Sequence, residues 1–372
     1  MYYFDYSATT PVEDSVLDTF VKVSKDFIGN PNSLHKLGID SKHIIERATE
    51  QIATILFCKK EEVIYTSGSS EANNLAIKGI AYKYQTRGKH IITSPFEHSS
   101  IYGPLGFLQK EGFKVDIAPI LENGLIDIDS LEKMITDDTI LVTIASVNSE
   151  TGLRQPIEQI STMLKKYPKC FFHVDATQSI GKVKIDFNNV DLISFSAHKI
   201  YGMKGIGALI KREKIGLEPL IHGGKSTTVY RSGTPAVALI ASFSKALRLI
   251  TEQLEENEKK VLNYSNELKK FLKQYSMIAI NSNQECIPHM VNFSVLGMKP
   301  ETFQHALEEY GIYISTQSAC STGGPSSTIL ALTKDEKRAS SSVRVSISYK
   351  TTKEEMIKLQ DAIDKVIKNF FK

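Results

Sequence analysis

Between residues 63 and 209 the chain repeats one pattern: a short apolar run, a polar cluster, then apolar positions at helical spacing. Strands are expected at 62–65, 90–93, 114–117, 139–144, 170–174, 192–195 and 207–210, with helical patterns between them. This alternation predicts an α/β architecture, a mostly parallel sheet wrapped by helices. In such sheets ligands sit at the carboxyl ends of the strands, and the polar clusters of this chain fall there repeatedly.

From 235 to 275 apolar residues recur at helical spacing through Ile240, Phe243, Leu247, Ile250, Leu254, Leu262 and Phe271, interrupted by the charged run 255–260. One long or broken helix leading out of the large domain is expected. Beyond it, strands at 278–280, 290–295, 312–315 and 343–348 and helices at 301–310 and 353–371 predict a compact α+β second domain. At 372 residues the chain exceeds one ordinary domain. The expected division is a large domain of 11–255 and a smaller one of 1–10 with 256–372.

Composition narrows the partners. Lys and Arg total 45 against 42 for Asp and Glu, and a dispersed net charge of +3 argues against nucleic acid or a membrane surface. The N-terminus has no basic segment followed by an apolar run, and no stretch approaches the ~20 apolar residues of a membrane span, so a cytoplasmic protein is expected. Cys58, Cys170, Cys286 and Cys320 show neither CxxC nor paired spacing, which argues against a disulfide framework or a metal site.

Two segments carry the chemistry. Ser194-Phe195-Ser196-Ala197-His198-Lys199 places a lysine just after a strand, and an earlier strand ends His173-Val174-Asp175. A lone lysine there is usually solvated and a lone aspartate usually caps a helix, but together they suggest pyridoxal phosphate. That cofactor binds a lysine amine covalently, and its ring draws electrons only while a carboxylate keeps the ring nitrogen protonated. Lys199 and Asp175 are the candidates. Thr66-Ser67-Gly68-Ser69-Ser70-Glu71 joins a strand to a helical pattern, so Ser69 and Ser70 present hydroxyls and free N–H groups suited to a phosphate. Ser196, His198 and Thr234 in Arg231-Ser232-Gly233-Thr234 are further phosphate candidates. His98, just after the strand at 90–93, is placed to stack on a ring and shuttle protons, and Gln178 lies one helical turn beyond Asp175.

Cys320 lies in a run of small and polar residues, 315–325, that reads as a loop, where a thiol suits nucleophilic attack on a substrate sulfur. The other three cysteines sit in or beside apolar stretches and read as packing thiols. Arg344, in an otherwise small and apolar strand, is a candidate clamp for a substrate carboxylate.

Taken in order, these motifs resemble the class V aminotransferase superfamily, and within it the cysteine desulfurases of the nitrogen-fixation and iron–sulfur cluster type. The resemblance runs from Asp5-Tyr6-Ser7-Ala8-Thr9-Thr10 and Gly29-Asn30-Pro31-Asn32-Ser33 through the 66–74 loop, Glu97-His98, Asn148-Ser149-Glu150-Thr151-Gly152, the 173–178 and 194–199 segments and 231–234, to Ser318-Ala319-Cys320 and Ser342-Val343-Arg344. It implies the aspartate aminotransferase-like fold of pyridoxal-phosphate-dependent transferases. It further implies that Lys199 carries the cofactor, Asp175 binds its ring nitrogen, Gln178 its phenolic oxygen, and His98 stacks on its ring. Ser69, Ser70, Ser196 and His198 would hold the phosphate, and Thr234 would reach the phosphate of a second subunit in a homodimer. Asn148 would touch cofactor or substrate, Arg344 the carboxylate of L-cysteine, and Cys320 would take its sulfur as a persulfide, leaving alanine.

The chain departs from the pattern with Ser149 where many relatives carry asparagine, Ser70 for threonine, and Gln317 for glycine. The implied acceptor is a protein, whether an iron–sulfur scaffold, a tRNA-thiolating enzyme or a sulfur carrier. A selenocysteine lyase or other class V reaction, and a non-catalytic sulfur-trafficking scaffold, stay open as alternatives.

Overall fold

The computed structural model describes residues 1–316 and 324–371. The chain opens with a short strand, β1 (Tyr2–Tyr3), and two helices, α1 (Asp14–Asp26) and α2 (Lys36–Ile55). Seven strands then alternate with helices: β2 (Val63–Thr66), α3 (Ser69–Tyr84), β3 (His90–Thr93), α4 (Ser99–Lys110), β4 (Lys114–Ile117), α5 (Ile128–Met134), β5 (Thr139–Ala145), α6 (Ile157–Leu164), β6 (Phe171–Asp175), β7 (Leu192–Ser196) and β8 (Gly207–Lys211). They form one sheet in the order β2-β8-β7-β6-β5-β3-β4. Only β8 runs against its neighbours, so the carboxyl ends of β2, β3, β5, β6 and β7 share one edge.

The central strands are buried along their whole length, as a sheet covered on both faces requires. In β8 the side chains alternate, Leu209 facing a core with α3 and α4, and Ala208 and Ile210 facing a core with α2 and the next helix. Phe172 and Val174 of β6 and Ile193 and Phe195 of β7 belong to that second face.

The expected helix at 235–275 is two helices, α7 (Val237–Glu252) and α8 (Leu254–Leu272), broken at Gln253, where φ is −120°. The break separates two packing partners. Phe243, Leu247 and Ile250 of α7 lie against the seven-stranded sheet, whereas Val261, Leu268 and Leu272 of α8 lie in another core. That core surrounds the antiparallel sheet of β9 (Ile278–Ile280), β10 (Met290–Val295) and β12 (Ser342–Ser346), with α9 (Pro300–Glu308) and α12 (Lys353–Phe370). Strand β11 (Ile312–Tyr313) pairs in parallel with β1, so Phe4 enters the same core. Two short helices, α10 (Ser327–Thr333) and α11 (Glu336–Ala339), complete the described chain.

Phe172 is 1% exposed on the strand that ends at Asp175. Phe172→Ala should lower stability by about 3–5 kcal/mol in guanidinium unfolding, the range for deleting a buried aromatic ring. A loss below about 1 kcal/mol would show that this face is loosely packed.

Candidate functional site

At the shared edge lies a cavity of about 220 Å³ whose lining includes Ser69, Ser70, His98, Asp175, Gln178, His198, Lys199 and Arg344. Asp175 ends a strand, Arg344 lies within one, and the others stand in the segments that follow strand ends. Ser69 and Ser70 begin α3 immediately after β2, and the Ser69 N–H donates to Ser196 Oγ at 3.1 Å, tying the loop to the end of β7. This approach depends on Gly207, where an added Cβ would lie 2.6 Å from the Phe195 carbonyl oxygen and 2.8 Å from Gly68 backbone.

Asp175 is the last residue of β6 and is 6% exposed. Its carboxylate accepts from the Thr177 N–H at 2.9 Å and from Asn73 Nδ2 at 2.8 Å. Lys199 ends a 3₁₀ turn after β7, and its ammonium donates to the carbonyl oxygens of Ser7 at 2.5 Å and Ala8 at 2.8 Å. The amine and the carboxylate thus face one cavity from adjacent strands.

Gln178 donates through Nε2 to the Ser7 carbonyl at 2.9 Å and accepts at Oε1 from Lys182 Nζ at 2.7 Å. Lys182 is buried, and burial, with Lys199 and Arg344 nearby, lowers its pKa to about 7. The sequence reading had missed it, although a lysine one turn beyond Gln178 in the same segment was its signal. Histidines 98 and 198 are both pushed towards the neutral form by burial, His198 to about 4 with Lys199 and Lys204 adding to the effect. His198 Nδ1 faces Thr9 Oγ1 at 3.1 Å, and His98 caps α4 by accepting from the Ser100 N–H.

Arg344 comes to this cavity from the second core. It is 1% exposed, donates to the Ser149 carbonyl at 2.7 Å and pairs with Asp5 at 2.6 Å. Two buried atoms of lining residues, Thr177 Oγ1 and Arg344 Nε, have no hydrogen-bond partner among the described residues. Unmet polar atoms beside an anchored carboxylate, a lysine amine and a hydroxyl-rich helix start fit a small anionic aromatic cofactor such as pyridoxal phosphate, together with an amino-acid carboxylate.

Asn148, Thr234 and Cys320 are placed differently. The Asn148 amide is occupied by a turn, donating to the Phe96 carbonyl and accepting from Glu150 N, Thr151 N and Thr151 Oγ1, and Ser149 lines the cavity instead. Thr234 lines a separate depression of about 100 Å³ with Ser67, Gly205 and Arg231. Cys320 lies outside the described residues. Cys58, Cys170 and Cys286 have thiols raised by burial to about 11, 12 and 11, as inert packing groups should. Among the described residues no cluster of metal-ligating side chains occurs, and no helix is long and apolar enough to cross a membrane.

Beside His98, the Glu97 carboxyl is buried and accepts from Ser94 Oγ at 2.5 Å and Ala145 N at 2.9 Å. Burial raises its pKa from 4.5 to about 8. The folded state therefore holds a proton that the unfolded chain releases between these values, and stability falls as pH rises through that window. Glu97→Gln, which keeps both accepted hydrogen bonds, should gain on the wild type progressively from pH 4.5 to about 8 in urea unfolding. A constant difference across the window would contradict this assignment.

Comparison with known proteins agrees with the geometry. Residues 2–359 match the family model Aminotransferase class-V. Cysteine desulfurase IscS of Dictyoglomus turgidum is 37% identical over 98% of this chain and 94% of its own. Among solved structures, a NifS-like protein superposes with a TM-score of 0.94 at 33% identity, covering 100% of both chains. SspA in complex with cysteine superposes at 0.83 with 34% identity over 95% of this chain and 100% of that one. Full-length likeness at this identity, on the fold and cavity described above, shows that the chain belongs to the class V aminotransferase family, among its cysteine desulfurases.

Proposed function

We propose that this protein is a pyridoxal-phosphate-dependent cysteine desulfurase that converts L-cysteine to L-alanine and passes the sulfur, as a persulfide on Cys320, to an acceptor protein. The observation that carries the reading is the meeting of the Lys199 amine, the anchored Asp175 carboxylate and the Arg344 guanidinium at one cavity. When bound, the cofactor supplies an electron-withdrawing ring that weakens bonds at the substrate α-carbon.

The chain's own residues would do the rest. Lys199 would hold the cofactor covalently, and Asp175 would keep the ring nitrogen protonated by a charge-assisted hydrogen bond. Gln178, its oxygen engaged by Lys182 and its NH₂ group donating to the Ser7 carbonyl, would offer its remaining N–H to the phenolic oxygen. His98 would cover the ring, and Ser69, Ser70, Ser196 and His198 would receive the phosphate. Thr234, set apart from this cavity, is assigned to the phosphate site of a second copy in a homodimer. Asn148 shapes the turn that presents Ser149 and the carbonyl held by Arg344. Arg344 would seat the cysteine carboxylate, and its pairing with Asp5 holds the guanidinium in place before substrate arrives. The Cys320 thiolate would then attack the substrate sulfur. The new S–S bond forms as the Cβ–S bond breaks, and the electron pair returns to Cβ, which takes a proton to become the alanine methyl group.

The same reading divides the chain into a large domain of 11–255 and a smaller one of 1–10 with 256–372, supported by the separate cores around α7 and α8. It places the enzyme in the cytoplasm. An iron–sulfur scaffold, a tRNA-thiolating enzyme and a sulfur carrier are all acceptors of suitable chemistry.

The decisive experiment is a single turnover with L-cysteine and no reductant. Wild-type protein should form stoichiometric alanine and a protein persulfide, and Cys320→Ser should lose the persulfide. Cofactor binding without either product would favour another class V reaction, such as selenocysteine cleavage. Lys199→Ala should lose the visible absorbance of covalently held cofactor, and its retention would move that role to another lysine. Arg344→Lys should raise KM for cysteine about ten- to a hundredfold with a smaller change in kcat, because a bidentate contact becomes a single one. An unchanged KM would place the carboxylate elsewhere.

A further inference from the structure

The polar side chains behind the cavity join into one hydrogen-bonded chain, with fully buried Asn73 of α3 at its centre. Asn73 Nδ2 donates to Asp175 Oδ2 at 2.8 Å and to Ser100 Oγ at 2.9 Å, while its Oδ1 accepts from the Ser194 hydroxyl. An ionised carboxylate only accepts. A flipped amide would set its oxygen against the carboxylate, so the NH₂ group has to face Asp175.

That orientation dictates the protons on both sides. Because Ser194 donates to Asn73, its oxygen accepts from His173 Nε2 at 3.0 Å, and His173 Nδ1 accepts from Thr143 Oγ1 at 2.8 Å. On the other side Ser100 Oγ already accepts from Asn73, so its proton goes to His98 Nδ1 at 2.9 Å. The backbone N–H of Ser100 points at the same nitrogen from 3.1 Å, and a backbone N–H can only donate. Both donors require a lone pair on His98 Nδ1. The N-terminus of α4 also disfavours a positive ring, as does burial, against the opposing pull of Asp175 and Glu150 and alongside Lys199.

We infer that Asn73 is a positioning residue that sets one direction for this network, keeping Asp175 supplied with a donor and His98 a neutral imidazole protonated on Nε2. His98 then offers the cavity a proton-bearing ring nitrogen and no basic lone pair. The inference rests on the proposed cofactor site only in taking Asp175 as ionised.

The test is two-bond ¹H–¹⁵N correlation NMR of the protein labelled at histidine, with and without pyridoxal phosphate, assigning His98 by His98→Gln. The expected spectrum shows Nδ1 unprotonated and Nε2 protonated across about pH 6 to 8. A proton on Nδ1, or a doubly protonated ring at neutral pH, would overturn the inference. Asn73→Asp preserves shape but sets a carboxylate against Asp175 and draws the Ser100 hydroxyl away from His98. It should move His98 titration to higher pH and weaken pyridoxal phosphate binding about ten- to a hundredfold, the factor for one charge-assisted hydrogen bond. Unchanged titration and affinity in a folded Asn73→Asp protein would also overturn it, and should that variant not fold, the wild-type spectrum alone decides the tautomer. Failure of pyridoxal phosphate to bind would count against the proposed function, and the cofactor-free spectrum would still read the tautomer.

Discussion

A carboxylate buried at the end of a central strand is the constraint on which the rest of this site depends. Asp175 stays out of water only because N–H donors converge on it, one from the turn that follows β6 and one from Asn73. The second donor fixes α3 against β6, and with it the loop that starts at Thr66. The N-terminus of α3 then needs its own acceptor, which Ser196 provides at the end of β7. Satisfying one buried charge therefore aligns three strand ends around a single cavity.

The first ten residues couple this edge to the second core. Phe4 shares a core with Val291, Phe293 and Val345, whereas Ser7, Ala8 and Thr9 meet Gln178, Lys199 and His198. Thr10 adds hydrogen bonds from its N–H and hydroxyl to the His198 carbonyl. Asp5 holds Arg344, so the group proposed for the substrate carboxylate is positioned by the same segment that receives the lysine amine. A shift of this segment would disturb amine, amide and guanidinium together, which links stability of the second core to geometry at the first sheet.

Much of this was legible in the chain itself. Strand positions in the large sheet follow from short apolar runs, since a strand covered on both faces must be apolar throughout. Helices α1 and α2 went unread: α2 buries only a stripe through Ile45, Ala48 and Ile52 among many charged residues, a weak signal beside the neighbouring strands. A broken helix was among the expectations for 235–275, but its break at Gln253, ahead of the charged run 255–260, was hidden, because the apolar spacing continues across it and only the change of packing partner ends the first helix. Asn73 looks like an ordinary polar position on a helix, and nothing local marks it as buried, while Lys182, in the turns after β6, is signalled only by its spacing from Gln178.

The chemistry available is written along the chain: a lysine and an aspartate at successive strand ends, serines at a helix start, a histidine after a strand, and a cysteine among small residues. These are local patterns, and local patterns survive in one dimension. Which partners fix each group is settled by folding alone, because hydrogen bonds such as Asn73 to Asp175, Lys182 to Gln178 and Arg344 to Asp5 join residues whose meeting depends on strand order and helix packing. Orientation and protonation at a buried site are set by those partners, and so they become readable when the chain is folded.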